Sequence, residues 1–218
     1  MYEGTAPASP GATLAILCLI ATVGLAGSFL YLPALPMMAE SFDASEPAAQ
    51  ATLTAFLVGS CLGFALYGRA ADRFGHRLAF AVAGAVFVAA SVAAAMSADI
   101  TQLVAARLVQ GAGSVAGIVT ARATIRTTMP PGRAMQSMAL LTAVVSLSPA
   151  ASPLIGAAVL QVTDWRATFL VAAGLGLAGI LGALRVLPRH VPVLPQDRPQ
   201  RAEATILRSP QFRAALMI

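Results

Sequence analysis

The chain has 218 residues, of which 58% are hydrophobic and 11% are charged. Soluble domains carry about 25% charged residues, so this composition argues against a water-soluble globular protein. The net charge of +5 does not indicate nucleic-acid binding, because no basic cluster is interleaved with aromatic residues that could stack on bases.

Six uncharged, mostly apolar runs follow one another along the chain. They are Gly11–Ala39, Pro47–Gly68, Leu78–Ala98, Leu108–Ala121, Ala134–Thr163 and Ala167–Leu184. A membrane-spanning helix needs about 20 such residues to cross the hydrocarbon layer. Four runs reach that length, the sixth reaches it with its neighbours, and the fourth needs Arg107 or Arg122 inside the membrane boundary. We therefore predict an all-α integral membrane fold with six transmembrane helices in residues 1–187.

Pairs of glycines four residues apart occur in the second and fourth runs. The pairs are Gly59 with Gly63 and Gly113 with Gly117. Glycines at this spacing let two helix backbones approach closely, which is one way in which membrane helices gain packing energy. We therefore predict helix contacts at both pairs.

The turn between the second and third runs brings charges and glycines together. Gly68 and Gly75 lie on either side of Asp72 and Arg73, and Arg77 follows them. Glycines open and bend such a turn. Ion pairs formed there could hold one arrangement of the helices and release another. By composition alone, an ordinary arginine-rich loop with one acid is an equally good interpretation.

The last two segments differ from the six runs. Residues 188–208 are rich in proline and arginine, which predicts a cytoplasmic linker. Residues 212–218 are apolar apart from Arg213, so we predict that residues 209–218 are the start of a truncated seventh helix. We expect the sequence to be a fragment, or one half of a larger assembly.

The distribution of arginine predicts the orientation. Twelve of the fourteen arginines lie in alternate gaps between the runs or in the segment after the last run, whereas the opposite gaps hold only Arg166. Arginine-rich loops face the cytoplasm in membrane proteins. We predict a multi-pass membrane protein with its amino terminus in the cytoplasm.

No metal or cofactor site is predicted. His76 and His190 belong to no cluster of metal ligands, and we interpret Cys18 and Cys61 as packing residues inside predicted spans. The glycine pattern of Gly174–Gly179 matches a dinucleotide fingerprint, but it lies in an apolar run without the βαβ pattern that such a site needs. We interpret these glycines as helix-packing residues.

Several segments together resemble the major facilitator superfamily. The turn described above resembles its signature loop between helices two and three, Arg107–Gly113 resembles its fourth-helix motif, and Ser148–Gly156 resembles its fifth-helix antiporter motif. Tyr31–Pro36 and Asp164–Phe169 are similar to segments of the Bcr/CflA drug-efflux branch. The resemblance covers essentially the whole chain. It implies the amino-terminal half of a twelve-helix fold, plus the start of helix seven.

The resemblance implies roles for three groups of residues. The conformational latch between the halves would comprise Gly68, Asp72, Arg73, Gly75 and Arg77. The cavity, substrate or proton pathway would comprise Tyr31, Arg107, Gln110 and Gly111. The fifth-helix motif would comprise Pro149, Pro153 and Gly156, which would kink and thin that helix so that it can rock.

Two of these roles have simpler alternatives. A charge inside the membrane is a functional hypothesis by default, yet Arg107 could instead extend its side chain to the outer interface. The two prolines of the fifth helix could produce a kink that has no part in transport.

The sequence departs from this branch at three places. Phe29–Leu30 stands where the branch has an acidic residue in helix one, Thr127 stands where an aspartate follows an arginine, and His76 stands where the loop has an arginine. No acidic residue remains in the middle of a predicted span, and arginine essentially never deprotonates. Proton coupling therefore needs a titratable group outside this half.

The resemblance implies an alternating-access transporter of the bacterial inner (plasma) membrane, not an enzyme, that exports drugs or toxic metabolites. The implied partners are the lipid bilayer, a small-molecule substrate, protons, and either the missing carboxy-terminal six-helix half or a second copy. Two other interpretations stay open. One is a truncated, non-transporting remnant that acts as a membrane interaction partner, and the other is an uptake carrier for a sugar or another metabolite.

Overall fold

The computed structural model describes residues 10–187, and every element in that range is helical. The α-helices are α1 Pro10–Phe29, α2 Leu35–Ser41, α3 Glu46–Phe74, α4 His76–Ala95, α5 Ile100–Ser114, α6 Ala116–Thr128, α7 Pro131–Leu160 and α8 Trp165–Val186. A short 3₁₀ turn, Leu32–Ala34, separates α1 from α2. The predicted linker at 188–208 and the predicted seventh helix at 209–218 lie outside the described residues.

Six spans are long and apolar enough to cross a membrane. Numbered first to sixth, they are Gly11–Ser41, Glu46–Phe74, His76–Ala95, Ile100–Thr128, Pro131–Leu160 and Trp165–Val186. The fourth span includes both Arg107 and Arg122, which meets the condition that the short fourth run imposed. The predicted all-α fold with six transmembrane helices is confirmed.

Two of the spans are interrupted. In the first span, Pro33 lies at the start of the 3₁₀ turn and Pro36 at the start of α2. A missing backbone N–H costs little at the start of a helix. In the fourth span, α5 gives way to α6 at Val115. The uncharged runs did not predict either interruption, because both breaks lie within apolar sequence.

Short polar side chains cap the starts of the second, fourth and sixth spans. Ser45, Asp99 and Asp164 each accept a hydrogen bond from the backbone N–H three residues further on, at 3.4, 2.8 and 3.4 Å respectively. Such a cap satisfies an amide that the helix leaves unpaired, and an aspartate there also favours the helix dipole. We call the side of the bundle where these three spans begin the acid-bearing end. The side where they end is called the arginine-rich end.

Glycines bring the second and fourth spans together. Gly59 lies against the backbone carbonyl of Leu108, and Gly63 lies against that of Ala112. A β-carbon at either glycine would overlap the facing backbone, so the two helices pack at the distance that only glycine allows. The predicted contact at this pair is confirmed.

The second glycine pair connects the fourth span to two other spans. Gly113 lies against the backbone and side chain of Phe87 in the third span, and Gly117 lies against the carbonyl of Ile20 in the first span. This predicted contact is also confirmed. The fourth span is therefore at the centre of the bundle, in contact with the first, second and third spans.

The glycines of the false dinucleotide fingerprint lie in α8, as the apolar run predicted. A β-carbon at Gly176 would come within 3.0 Å of Phe87 and 2.9 Å of Val88 in the third span, whereas Gly174 faces open space. The interpretation as packing glycines is therefore confirmed for Gly176 and wrong for Gly174, which nothing in the described residues contacts closely.

The second and fifth spans are the least covered by the rest of the bundle. Within an apolar stretch of 18 residues in each span, the buried share is 28% in the second span and 17% in the fifth, compared with 50% in the fourth. Their exposed side chains include Leu62, Phe64, Leu147 and Leu154. An apolar surface of this extent needs lipid or another protein against it.

Candidate functional site

Arg107 is the only charged side chain that is buried among residues 10–187, and its exposed fraction is 0%. Its Nη1 donates to the backbone oxygen of Gly27 at 2.7 Å and to Oε1 of Gln110 at 2.6 Å. Gly27 belongs to the first span, and Gln110 lies one turn along from Arg107 on α5. The guanidinium therefore links the first and fourth spans near the middle of the bundle.

Gln110 extends this hydrogen-bond network to the third span. Its Nε2 donates to Oγ of Ser91 at 2.7 Å, and the Ser91 hydroxyl donates to the backbone oxygen of Phe87 at 2.7 Å. Gln110 and Ser91 are both fully buried. These buried hydrogen bonds connect the first, third and fourth spans and help to fix their relative register.

Three aromatic rings surround the guanidinium of Arg107. Its Cζ lies 4.1 Å from the ring centroid of Tyr31, 4.3 Å from that of Phe56 and 5.8 Å from that of Phe169. A cation over an aromatic face gains about 2 kcal/mol or more when both groups are desolvated. Gly111 lies against the backbone carbonyl of Phe56, and this close approach brings the second span next to Arg107.

The buried charge of Arg107 has no carboxylate partner in residues 10–187. All six acidic side chains in that range are exposed, and they lie near helix ends. They are Glu40, Asp43, Glu46, Asp72, Asp99 and Asp164. The Nε and Nη2 atoms of Arg107 have no hydrogen-bond partner. The carbonyl of Gly27, the amide of Gln110 and the three rings therefore offset the cost of burying this cation.

A cavity of about 210 Å³ lies between the first, second, fourth and fifth spans, beside this cluster. Its lining is mostly apolar, with Phe56 and Phe64 among its larger members. Ser28, Ser60 and Ser114 supply its hydroxyl groups, and no charged residue lines it. Phe56 also contacts Arg107, so one ring separates the cation from the cavity.

The three serine hydroxyls of the cavity already have acceptors for their protons. Ser28 donates to Gly24 O at 3.2 Å, and Ser60 donates to Phe56 O at 2.9 Å. Ser114 donates to the backbone oxygen one turn earlier at 2.7 Å. A hydroxyl whose proton is used still has lone pairs free. The cavity can therefore accept hydrogen bonds from a guest molecule and can also contact its apolar and aromatic parts.

The predicted latch residues lie together at the arginine-rich end. Gly75 joins α3 to α4 with φ of +82°, a conformation that favours glycine. Nη2 of Arg77 donates to the backbone oxygen of Leu184 at 2.8 Å, which ties the start of α4 to the end of α8. Asp72 and Arg73 are exposed, and Asp72 has no ion-pair partner within residues 10–187.

The predicted fifth-helix residues lie in α7, which contains Pro149 and Pro153 and runs without a break. Ser148, Ser152 and Gly156 are spaced by four residues and form the buried face of this part of the helix. Gly156 lies against the backbone carbonyl of Leu30 in the first span. The glycine thus thins the helix at that contact, while the part of the motif in rocking stays a prediction.

Sequence reasoning singled out Tyr31, Arg107, Gln110 and Gly111, and the structure brings these four together. It missed several residues that share the site, namely Gly27, Phe56, Ser60, Ser91, Ser114 and Phe169. A serine in the middle of an apolar span is a signal that could have identified three of them. Whether the four predicted residues act in substrate or proton movement stays a prediction.

Two relatives show how far the sequence similarity to other proteins extends. The chain is 31% identical over 185 residues to the uncharacterised MFS-type transporter YdgK of Bacillus subtilis, covering 84% of this chain and 45% of that protein. It is 28% identical over 196 residues to the multidrug resistance protein MdtL of Escherichia coli, covering 88% of this chain and 50% of that protein. The chain therefore spans about half the length of these curated relatives.

Solved transporters share the fold at lower sequence identity. The D-xylose-proton symporter superposes with a TM-score of 0.71 at 15% identity, covering 96% of this chain and 54% of that one. The human organic anion transporter MFSD10 superposes with a TM-score of 0.66 at 17% identity, covering 92% of this chain and 55% of that one. Finally, the family model described as Major Facilitator Superfamily matches residues 17–218. The chain belongs to the major facilitator superfamily.

Proposed function

We propose that this chain forms one half of an alternating-access exporter for small, amphipathic drugs or toxic metabolites, similar to the Bcr/CflA branch of the superfamily. The similarity to MdtL, which is named as a multidrug resistance protein, supports export over uptake. The observation that carries the proposal is the cavity between the first, second, fourth and fifth spans, which lies directly beside the buried cation Arg107.

The lining of this cavity indicates the class of cargo. Phe56 and Phe64 offer aromatic surface, and the serine hydroxyls offer hydrogen-bond acceptors. No carboxylate in residues 10–187 is buried, so this half provides no acid to pair with a cationic cargo. The geometry favours a neutral amphipathic molecule, for which apolar contact supplies affinity and a few hydrogen bonds supply orientation.

A second six-helix unit completes the proposed transporter. The chain covers about half the length of its relatives. Most of the apolar surface of its second and fifth spans is not buried by the rest of the bundle. We propose that a complementary half packs against these two surfaces. A second copy of this chain is the alternative partner. Asp72 is exposed and without an ion-pair partner within residues 10–187, and we propose that it binds a helix of that unit.

Proton coupling needs a group from the complementary unit. Arg107 is the only charge buried among the described residues, and arginine does not release its proton in the working pH range. We propose that this half supplies a fixed charge and a cavity wall, while the titrating group belongs to the other unit. In this arrangement the arginine-rich end faces the cytoplasm.

Accumulation of a neutral amphipathic dye tests the proposed export. Cells that lack their own exporters and express the 218-residue chain together with the complementary six-helix half of a relative such as MdtL should accumulate less dye than cells that express that half alone. Ser60→Phe places a phenyl ring in the cavity and should remove this difference. Leu177→Phe adds similar bulk on an exposed face of the sixth span, away from the cavity, and should preserve the difference.

Two outcomes would contradict the proposal. One is equal dye accumulation with and without the chain when the complementary half is present at a matched level in the membrane. The other is an export activity that Ser60→Phe leaves intact, because the cavity would then not be on the transport route. Better accumulation of a sugar analogue in expressing cells would favour the uptake interpretation instead.

A further inference from the structure

An apolar groove of about 480 Å³ lies on the outside of the bundle, between the second and third spans. Ala112 and Gly113 of the fourth span form its floor. Its walls are apolar side chains that include Leu66, Phe74 and Val82, all of them more than half exposed. Tyr67 contributes the one hydroxyl among the named lining residues, and that hydroxyl is already hydrogen-bonded to Thr120.

The length of the groove matches one leaflet of a bilayer. Along α3 its lining extends from Gly63 to Phe74, which is about 16 Å at 1.5 Å per residue. Half of a hydrocarbon layer that is roughly 30 Å thick is about 15 Å. The groove therefore begins at the arginine-rich end and reaches approximately to the middle of the membrane, as a single acyl chain does.

Positive charge lies at the open end of this groove. The guanidinium of Arg73 lies 5.4 Å from the ring centroid of Phe74, a lining residue, so the cation is held at the mouth. Arg69 is exposed one turn before it, and Arg77 is tied to the neighbouring end of α8. A phosphate at the membrane surface can bind such guanidinium groups with charge-assisted hydrogen bonds.

The nearby acid does not cancel this charge at the groove. Asp72 lies two residues from both Ala70 and Phe74, which line the groove, and two residues on an α-helix correspond to about 200° of rotation. Asp72 therefore lies on the opposite side of α3. Arg73 is adjacent to Phe74 and contacts its ring, so the face next to the groove is basic.

We infer that this groove binds an anionic phospholipid, with one acyl chain between the second and third spans and its phosphate on Arg73. The apolar walls exclude a polar ligand, and the basic mouth selects a negative headgroup over a zwitterionic one. This inference concerns the outer surface of the bundle and does not depend on the proposed transport cavity.

Quenching of an introduced tryptophan by brominated lipid tests the inference. Val82→Trp places a reporter in the wall of the groove, and the unmodified chain, whose only tryptophan is Trp165, gives the background. The full chain is reconstituted in phosphatidylcholine vesicles with increasing dibrominated phosphatidylglycerol or dibrominated phosphatidylcholine. Half-maximal quenching should need about five times less dibrominated phosphatidylglycerol than dibrominated phosphatidylcholine for each arginine that binds the headgroup.

Matched variants distinguish a specific lipid site from general attraction of anionic lipid to a basic surface. Arg73→Gln should remove most of the headgroup preference at the Val82→Trp reporter, whereas Arg133→Gln removes an exposed arginine on the fifth span and should preserve it. Met135→Trp places a second reporter on the fifth span, away from the groove, where Arg73→Gln should change nothing.

Three results would overturn the inference. The first is equal quenching by both headgroups at the groove reporter. The second is a preference for phosphatidylglycerol that survives Arg73→Gln. The third is the absence of quenching by either lipid at Val82→Trp while Met135→Trp is quenched, because a protein surface would then cover the groove.

Discussion

Arg107 shows how a membrane protein can hold a permanent charge with no buried acid among residues 10–187. Its guanidinium uses one backbone carbonyl, one amide oxygen and three aromatic rings, and these groups come from four different spans. The planar group suits this environment, because it stacks on rings and donates in its own plane at the same time. Lysine offers neither property to the same degree.

Removing one aromatic face should destabilise the bundle more than removing an ordinary buried ring. We expect Phe56→Leu to cost roughly 1–2 kcal/mol more in thermal unfolding than Phe80→Leu, because only Phe56 lies over the guanidinium of Arg107. Unfolding of the purified chain in detergent, followed by circular dichroism, measures the difference.

A double-mutant cycle identifies the source of this cost. In an Arg107→Met background, the extra penalty of Phe56→Leu should disappear, because the cation is no longer present. An equal penalty in both backgrounds would show that Phe56 stabilises the fold by packing alone.

At the scale of the helices, backbone contact through glycine decides which faces meet. Gly156 places the fifth span against Leu30 of the first span, in the same way that Gly59 places the second span against the fourth. Membrane helices gain little from apolar burial because lipid is equally apolar, so such close contacts carry much of the packing energy.

Gly156→Ala should therefore weaken the bundle, whereas a matched glycine should tolerate the change. The new methyl group would overlap the backbone of Leu30 and cost about 1–3 kcal/mol, as overpacking does. Gly174→Ala meets open space within α8 and should stabilise the helix by about 0.5–1 kcal/mol. Unfolding in mixed detergent micelles measures both values, and equal effects would contradict the packing role of Gly156.

The turn between α3 and α4 allows a second comparison at this scale. Gly75→Ala places a side chain at φ of +82° and ψ of 151°, a region that essentially only glycine adopts, and should cost about 1–3 kcal/mol through backbone strain. Gly68→Ala lies in open space inside α3 and should have no destabilising effect. Thermal unfolding of the two variants would reject the strain argument if both lost the same stability.

The sequence predicts the positions of the helices better than the breaks within them, because the two features have different physical causes. The six spans follow from the cost of placing charge in hydrocarbon, which leaves a visible record in the positions of arginine and aspartate. The breaks at Leu32–Ala34 and at Val115 were missed, because helices can be interrupted inside a bundle without any change in hydropathy.

The site could be predicted only in part, for a related reason. Gln110 is three residues from Arg107 on one helix, so helical spacing predicts that they meet. Gly27, Phe56 and Phe169 come from other spans, and their approach depends on the register between helices. Glycine contacts set that register, and the sequence shows the glycines without showing which backbone each one faces.

At the scale of the whole molecule, the two ends of the bundle differ in charge. Within residues 10–187, the acid-bearing end holds five exposed acids and one arginine, Arg166, whereas the arginine-rich end holds Asp72 among its arginines. This asymmetry is the physical basis of the proposed orientation, since arginine-rich segments are retained in the cytoplasm.

Labelling from outside the cell tests that orientation. In a chain with Cys18→Ser and Cys61→Ser, a membrane-impermeant maleimide should label Thr163→Cys at the acid-bearing end and spare Gly132→Cys at the arginine-rich end. Permeabilising the membrane should make both positions reactive. Labelling of Gly132→Cys alone in intact cells would reverse the proposed topology.

The position of Arg107 has an electrical consequence. The residue lies seven positions into a 29-residue span, about 10 Å from its start at 1.5 Å per residue, and its charge is permanent. Carrying one elementary charge across the full membrane at 100 mV involves about 2.3 kcal/mol of electrical work. Any rearrangement that shifts this guanidinium along the membrane normal would draw a fraction of that work from the cell's voltage, so such a motion would be sensitive to voltage.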